Sequence, residues 1–127
     1  MIKIKLIELL NAVESINKIR NCNSSDVNVQ FRFKLGILNR DLNNHVLIYN
    51  KLMQELVIFY EIEIENTQFL SQDKGNLKIF LEKVHELENI ELEINLPKID
   101  FDKSANNISE NEILNLIPFL NIRETAI

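Results

Sequence analysis

The sequence predicts an α+β protein that is mainly α: a long central helix, shorter helices packed on it, and a small acidic β element. Three observations carry this. A heptad stripe runs through Phe31, Leu35, Leu38, Leu42, His45, Tyr49, Leu52, Leu56 and Phe59, in alternating steps of four and three. Only 2 glycines and 2 prolines punctuate the 127 residues, so long elements dominate. Residues 90–96 alternate strictly, with Ile90, Leu92, Ile94 and Leu96 on one face and Glu91, Glu93 and Asn95 on the other.

Residues 2–5 alternate Ile and Lys, a strand-like start. From Leu6 the apolar positions Leu6, Leu9, Leu10, Val13, Ile16 and Ile19 take helical spacing, which predicts a first helix over 5–20. Residues 21–26 are turn formers whose side chains compete for backbone groups and stop that helix. Ser25 or Asp26 can cap the next helix. That long helix is expected over about 29–60, after an extended approach through Val27 and Val29. As one helix it spans roughly 45 Å at 1.5 Å per residue, and some element, in this chain or another, must cover its seam. Its first half has a narrow stripe that suits an arm in a helical hairpin or coiled coil. Past Val46 the apolar face widens to include Leu47, Ile48, Met53, Val57, Ile58 and Tyr60, which suits a core helix.

The period drops to two at Glu61-Ile62-Glu63-Ile64-Glu65, so a strand or a small hairpin around Asn66 is expected over 62–70. A third helix is expected over 77–89, beginning after Asp73 or Asn76, with Leu77, Phe80, Leu81, Val84 and Leu87 on its face. The strand over 90–96 is bent at Pro97 and continued by Ile99 and Phe101, as an edge strand can be. Ser109 and Glu112 have the spacing of a capping box before a short helix over 110–117. Pro118 falls in or just past its last turn, and the final residues are expected to fray. A single domain over 1–127 accommodates all of this. Glu91 and Glu93 would repel Glu61, Glu63 and Glu65 across a ladder, whereas Lys3 and Lys5 complement either set. Residues 2–5 are therefore expected beside an acidic strand.

The net charge of −5 conceals a division. Residues 1–60 carry eight Lys/Arg against five Asp/Glu, and residues 61–127 six against fourteen. That balance disfavours general nucleic-acid affinity, which needs concentrated basic charge. Arg20, Arg32, Lys34 and Arg40, with Phe31 and Phe33 between them, support at most a weak single-strand binder. Cys22, the sole cysteine, has no internal disulfide partner and no zinc-ligand spacing around it, and it fits a reducing cytoplasm. The start, Met-Ile-Lys-Ile-Lys, is too charged for a signal peptide, and no apolar run of about 18 residues predicts a membrane span.

His45 and His85 lack matched acidic ligands, so no metal site is expected. Glu61, Glu63, Glu65, Glu91 and Glu93 read as solvated strand faces rather than an acid/base pair. Asp100-Phe101-Asp102 lacks the glycine and spaced oxygens of a calcium loop. There is no phosphate loop, nucleophile elbow or dinucleotide fingerprint. No catalytic residue, cofactor or small-molecule substrate is expected, and the chain is not expected to be an enzyme. Protein binding remains. Its expected surface is the seam of the long helix at Leu35, Leu38, Leu42, His45 and Tyr49, for self-association or for another protein. His45 in that seam can set register or oligomer state. The acidic half offers an alternative, an inhibitor that occupies a basic groove of a host defence or nuclease system.

Residues 6–19 form a Leu-rich opening helix, and 31–60 an aromatic-led, charged long helix. Residues 79–99 combine a helix of the sense FLEKVHELENIELEI with an x-Pro-x-Ile extension, and 108–120 a capped terminal helix. In this order of features the chain resembles an uncharacterised family of small tailed-phage and prophage proteins. Where that pattern has a Gly-rich turn after the long helix, this chain has residues 61–66. The resemblance implies a phage-encoded accessory or structural protein acting through protein contacts, in the bacterial host cytoplasm or the virion, with no activity to carry over.

Overall fold

The computed structural model describes residues 2–21, 27–102, 106 and 108–123. The fold is α+β and mainly α, as expected. Strand β1 (Ile2–Lys5) runs directly into helix α1 (Leu6–Asn21). Alternation turns Ile2 and Ile4 inward and both lysines outward. The Glu8 carboxylate accepts a hydrogen bond from the Lys5 N–H at 3.1 Å. This is the returning half of a capping box, and it puts negative charge at the positive end of the helix dipole.

Helix α2 (Val29–Phe59) is the long helix. Its cap is Asn28, whose Oδ1 accepts from the N–H groups of Gln30 (2.8 Å) and Phe31 (3.3 Å). The expected caps Ser25 and Asp26, like Cys22, lie outside the described residues. The buried Asn106 accepts from the Asn28 N–H at 2.7 Å and donates to the Asp102 carbonyl at 3.0 Å. One side chain thereby ties the start of α2 to a segment far along the chain. At the other end, the Ile62 N–H donates to the Val57 carbonyl (2.9 Å) and the Glu61 N–H to that of Ile58 (3.3 Å). This is a Schellman stop, and Glu61 occupies its left-handed position at φ 53°, where glycine is usual.

Strands β2 (Glu63–Glu65) and β3 (Gln68–Leu70) pair antiparallel, with Ile64 opposite Phe69. The turn residues Asn66 and Thr67 both have positive φ, 50° and 65°, as a tight type I′ hairpin requires. The hairpin expected around Asn66 therefore forms. Helix α3 (Lys74–Glu88) starts at Lys74 rather than at residue 77, because Asp73 caps it by accepting from Gly75 N–H (2.9 Å) and Asn76 N–H (3.2 Å). Strand β4 (Glu91–Ile94) returns antiparallel to β1, with Lys3 opposite Glu93 and Lys5 opposite Glu91. The first strand does lie beside an acidic one.

Beyond Ile94 the chain departs from expectation. Strand β5 (Ile99–Asp102) does not extend the β1–β4 sheet; it pairs in parallel with β6 (Leu120–Arg123). Pro97 has no N–H to continue a ladder, while Ile99 and Phe101 gain burial against α2, the Phe101 ring lying 5.0 Å from that of Phe31. Part of the segment expected to fray is thus a strand. Helix α4 (Glu110–Leu116) and a 3₁₀ turn (Ile117–Phe119) holding Pro118 connect the two. Ser109 occupies the cap position of α4, but its side chain makes no capping bond, so the expected capping box is not formed. Helix α4 packs on α1, where Asn115 Nδ2 donates to the buried Ser15 Oγ at 2.9 Å.

Two cores result. The main one gathers α1, the first half of α2, β1, β4, β5 and the chain from Leu116 to Leu120. A smaller one, around Ile62, Phe80 and Val84, joins the second half of α2 to the hairpin and α3. An arm of two helices and a hairpin thus extends from a more deeply packed body.

Candidate interaction surface

Helix α2 divides its stripe between the two cores, and the division reverses the expected one. Phe31, Leu35, Leu38 and Leu42 are 0–4% exposed and share one cluster with Leu9 and Ile16 of α1 and Phe101 of β5. The half expected to be an arm is core, and the half expected to be core is the arm. The reason is the number of neighbours. Among the described residues, the first half is packed by α1 and β5, whereas the second half is packed by α3 and the hairpin.

Leu35, Leu38 and Leu42 are therefore closed to a partner while the chain stays folded. This corrects their assignment to an open surface. His45 and Tyr49, the other two residues of that set, are half-buried where body and arm meet. Burial first, and the nearby negative charge of Glu88 second, raise the Tyr49 hydroxyl above its ordinary pKa of 10.0.

Val29, Phe33 and Ile37 are exposed on the first half of α2, and a denser set of exposed apolar residues lies further along the same helix. On the side towards α3, Met53, Leu56, Val57 and Tyr60 pack against Ile62, Phe80 and Val84. On another side, Leu47, Ile48, Leu52, Ile58 and Phe59 are 38–77% exposed. Steps of 1, 4, 6 and 1 between them keep all five on one broad face at about 100° per residue. Lys51 and Glu55 sit within that face, both exposed. The Phe59 ring lies edge-on to Tyr60 at 4.9 Å, which anchors the end of the face to the arm's own core. A helix apolar on nearly all sides is a buried helix, and this one is buried on one side only. Heptad spacing did not locate the covered side here: of the stripe, Leu56 packs inward while Leu52 and Phe59 are exposed, and the widening after Val46 is split between covered Met53, Val57 and Tyr60 and exposed Leu47, Ile48 and Ile58.

Other candidates from the sequence separate in space. Lys34 leaves α2 about 160° away from Arg32 and about 120° away from Arg40, so the three share no single face. Arg32 Nη2 donates to the Arg20 carbonyl at 3.3 Å, Arg40 lies 3.4 Å from Asp41, and of the two aromatics Phe31 is buried while Phe33 is 70% exposed. Glu91 and Glu93 face Lys5 and Lys3, while Glu61 and Glu63 line an open cleft with Asp73 and Lys74 at the hairpin end of the arm. An apolar groove of about 320 Å³ runs between α2 and the Pro97 bend, with Lys34, Lys98, Asp41 and Asp100 at its edges. Among the described residues no group of three or more His, Cys, Asp or Glu is placed to hold a metal ion, and no helix is long and apolar enough to cross a membrane. No protein-family model, curated protein or solved structure compared with the chain matches it.

Proposed function

We propose that the protein is a non-enzymatic phage or prophage accessory or structural protein that works by binding protein, in the host cytoplasm or as part of the virion. The phage context rests on the order of features in the sequence. The mode of action rests on one observation: five large apolar side chains exposed together on the outer half of α2. Large apolar side chains gathered on one exposed face, here with Lys51 and Glu55 among them, mark a surface that acquires a partner. Capture of the tagged protein from cells that produce it tests this reading, comparing the natural chain with Ile58→Asp and Phe59→Asp. A protein recovered with the natural chain and lost with both variants, whose helix content is unchanged by circular dichroism, supports it. Identical recovery from all three overturns it.

A second reading, an acidic inhibitor that fills a basic groove, draws on Glu61, Glu63 and Asp73 around the cleft at the hairpin end. Complex formation would then collapse as salt rises. A complex indifferent to salt would leave only the apolar face.

A further inference from the structure

We propose that the outer face of α2 is covered by a second copy of this chain, packed antiparallel about a two-fold axis at the level of Met53. This rests on the protein-binding reading and names its partner. The face is built symmetrically along the helix. Leu47 and Ile48 lie as far before Met53 as Phe59 and Ile58 lie after it, and Lys51 as far before as Glu55 after; Leu52, opposite Gln54, is the one member outside this pattern. A two-fold interface joins a patch to itself, so each residue must complement the one that symmetry sets opposite. In the antiparallel pair Leu47 and Ile48 of one copy meet Phe59 and Ile58 of the other, and Lys51 meets Glu55 twice over.

Charge fixes the orientation. A parallel pair would set Lys51 against Lys51 and Glu55 against Glu55, a repulsion at the centre of the contact. An unrelated partner would need no such symmetry in this chain. Neither Lys51 nor Glu55 forms a salt bridge within the described residues, so both are available. Area agrees as well. Taking roughly 200 Å² for a residue of this size, the five apolar side chains leave on the order of 600 Å² uncovered. A standard interface takes about 800 Å² from each partner, and the stems of Lys51 and Glu55 supply most of the difference.

The test is solution mass by light scattering on the full chain across concentration, for the natural chain, Lys51→Glu, Glu55→Lys and the double exchange. All three variants change exposed side chains, and circular dichroism checks that each remains folded. The expected result is a dimer whose dissociation constant rises roughly tenfold in each single variant, because each creates two like-charge contacts, and returns to near the natural value in the double exchange. A monomer at every concentration overturns the inference; if Phe59→Asp still abolishes capture of another protein, the protein-binding reading survives and only the identity of the partner falls. A dimer insensitive to both single variants also overturns it, because the copies would then meet elsewhere.

Discussion

The ammonium of Lys3 lies 3.9 Å from the Glu93 carboxylate across the β1–β4 ladder, with Lys5 and Glu91 as the next outward pair. The Lys3 and Glu93 side chains are 76% and 61% exposed, so each such pair contributes only about 0.2–1 kcal/mol in the presence of salt. Their greater use is in register. Side chains alternate faces, so a slip of one residue would turn Ile2 and Ile4 out of the core. Lys3→Glu should lower stability by up to about 1 kcal/mol in urea unfolding, and Lys3→Glu with Glu93→Lys should recover most of it. Failure of the double exchange to recover would show that the lysine stem, not its charge, matters here.

Glu61 holds a backbone conformation better suited to glycine. At φ 53° its Cβ crowds the following carbonyl, a cost of about 1–2 kcal/mol for an L-residue. Glu61→Gly removes that strain but loosens the unfolded chain, which offsets part of the gain. The net expectation is a rise of about 0.5–1 kcal/mol, read as a higher urea midpoint with unchanged slope. A lower midpoint would mean that the Glu61 side chain makes a contribution exceeding the strain.

The leucines of the first half of α2 should behave as core. Leu42→Ala is expected to cost about 2–5 kcal/mol, the range for a buried leucine whose cavity cannot collapse. Leu38→Asp places an unpaired carboxylate in the main core and should unfold the chain rather than detach a partner. Thermal melts separate the possibilities: a folded, natural-like Leu38→Asp chain would show that the helix can expose this face.

Tyr49 predicts a dependence on alkaline pH. Its folded-state pKa lies above 10.0, chiefly through burial and then through Glu88. As pH rises past 10.0 the unfolded chain gives up this proton while the folded chain keeps it. The native state then binds more protons, and stability falls until the folded pKa is passed. Tyr49→Phe should remove this part of the alkaline loss. In a Tyr60→Phe background, ultraviolet absorbance should show a tyrosine ionising late, and Glu88→Gln should move it back towards the ordinary value by removing the lesser of the two causes. An ordinary titration of Tyr49 would mean that its hydroxyl is wetter than the fold indicates.

Local chemistry in the sequence determined a good deal of this protein. Heptad spacing and the scarcity of glycine and proline specified α2; alternation pointed to β1 and β4; Asn66 marked a candidate hairpin turn; and the signs of Lys3 and Lys5 called for an acidic neighbour, without choosing between Glu91 and Glu93 and the glutamates of 61–65. These are decided by neighbours a few residues away, or by charges that must not meet their own kind. Short β6 was not legible, because its pairing depends on where Pro97 releases β5 and not on its own residues. Nor was the exposed face on the outer half of α2. A stripe states that a helix face must be covered, not by what. Only the tertiary structure decided that α1 and β5 close over Leu35, Leu38 and Leu42, while α3, a single helix, covers one side of the arm and leaves Leu47, Ile48, Ile58 and Phe59 in water.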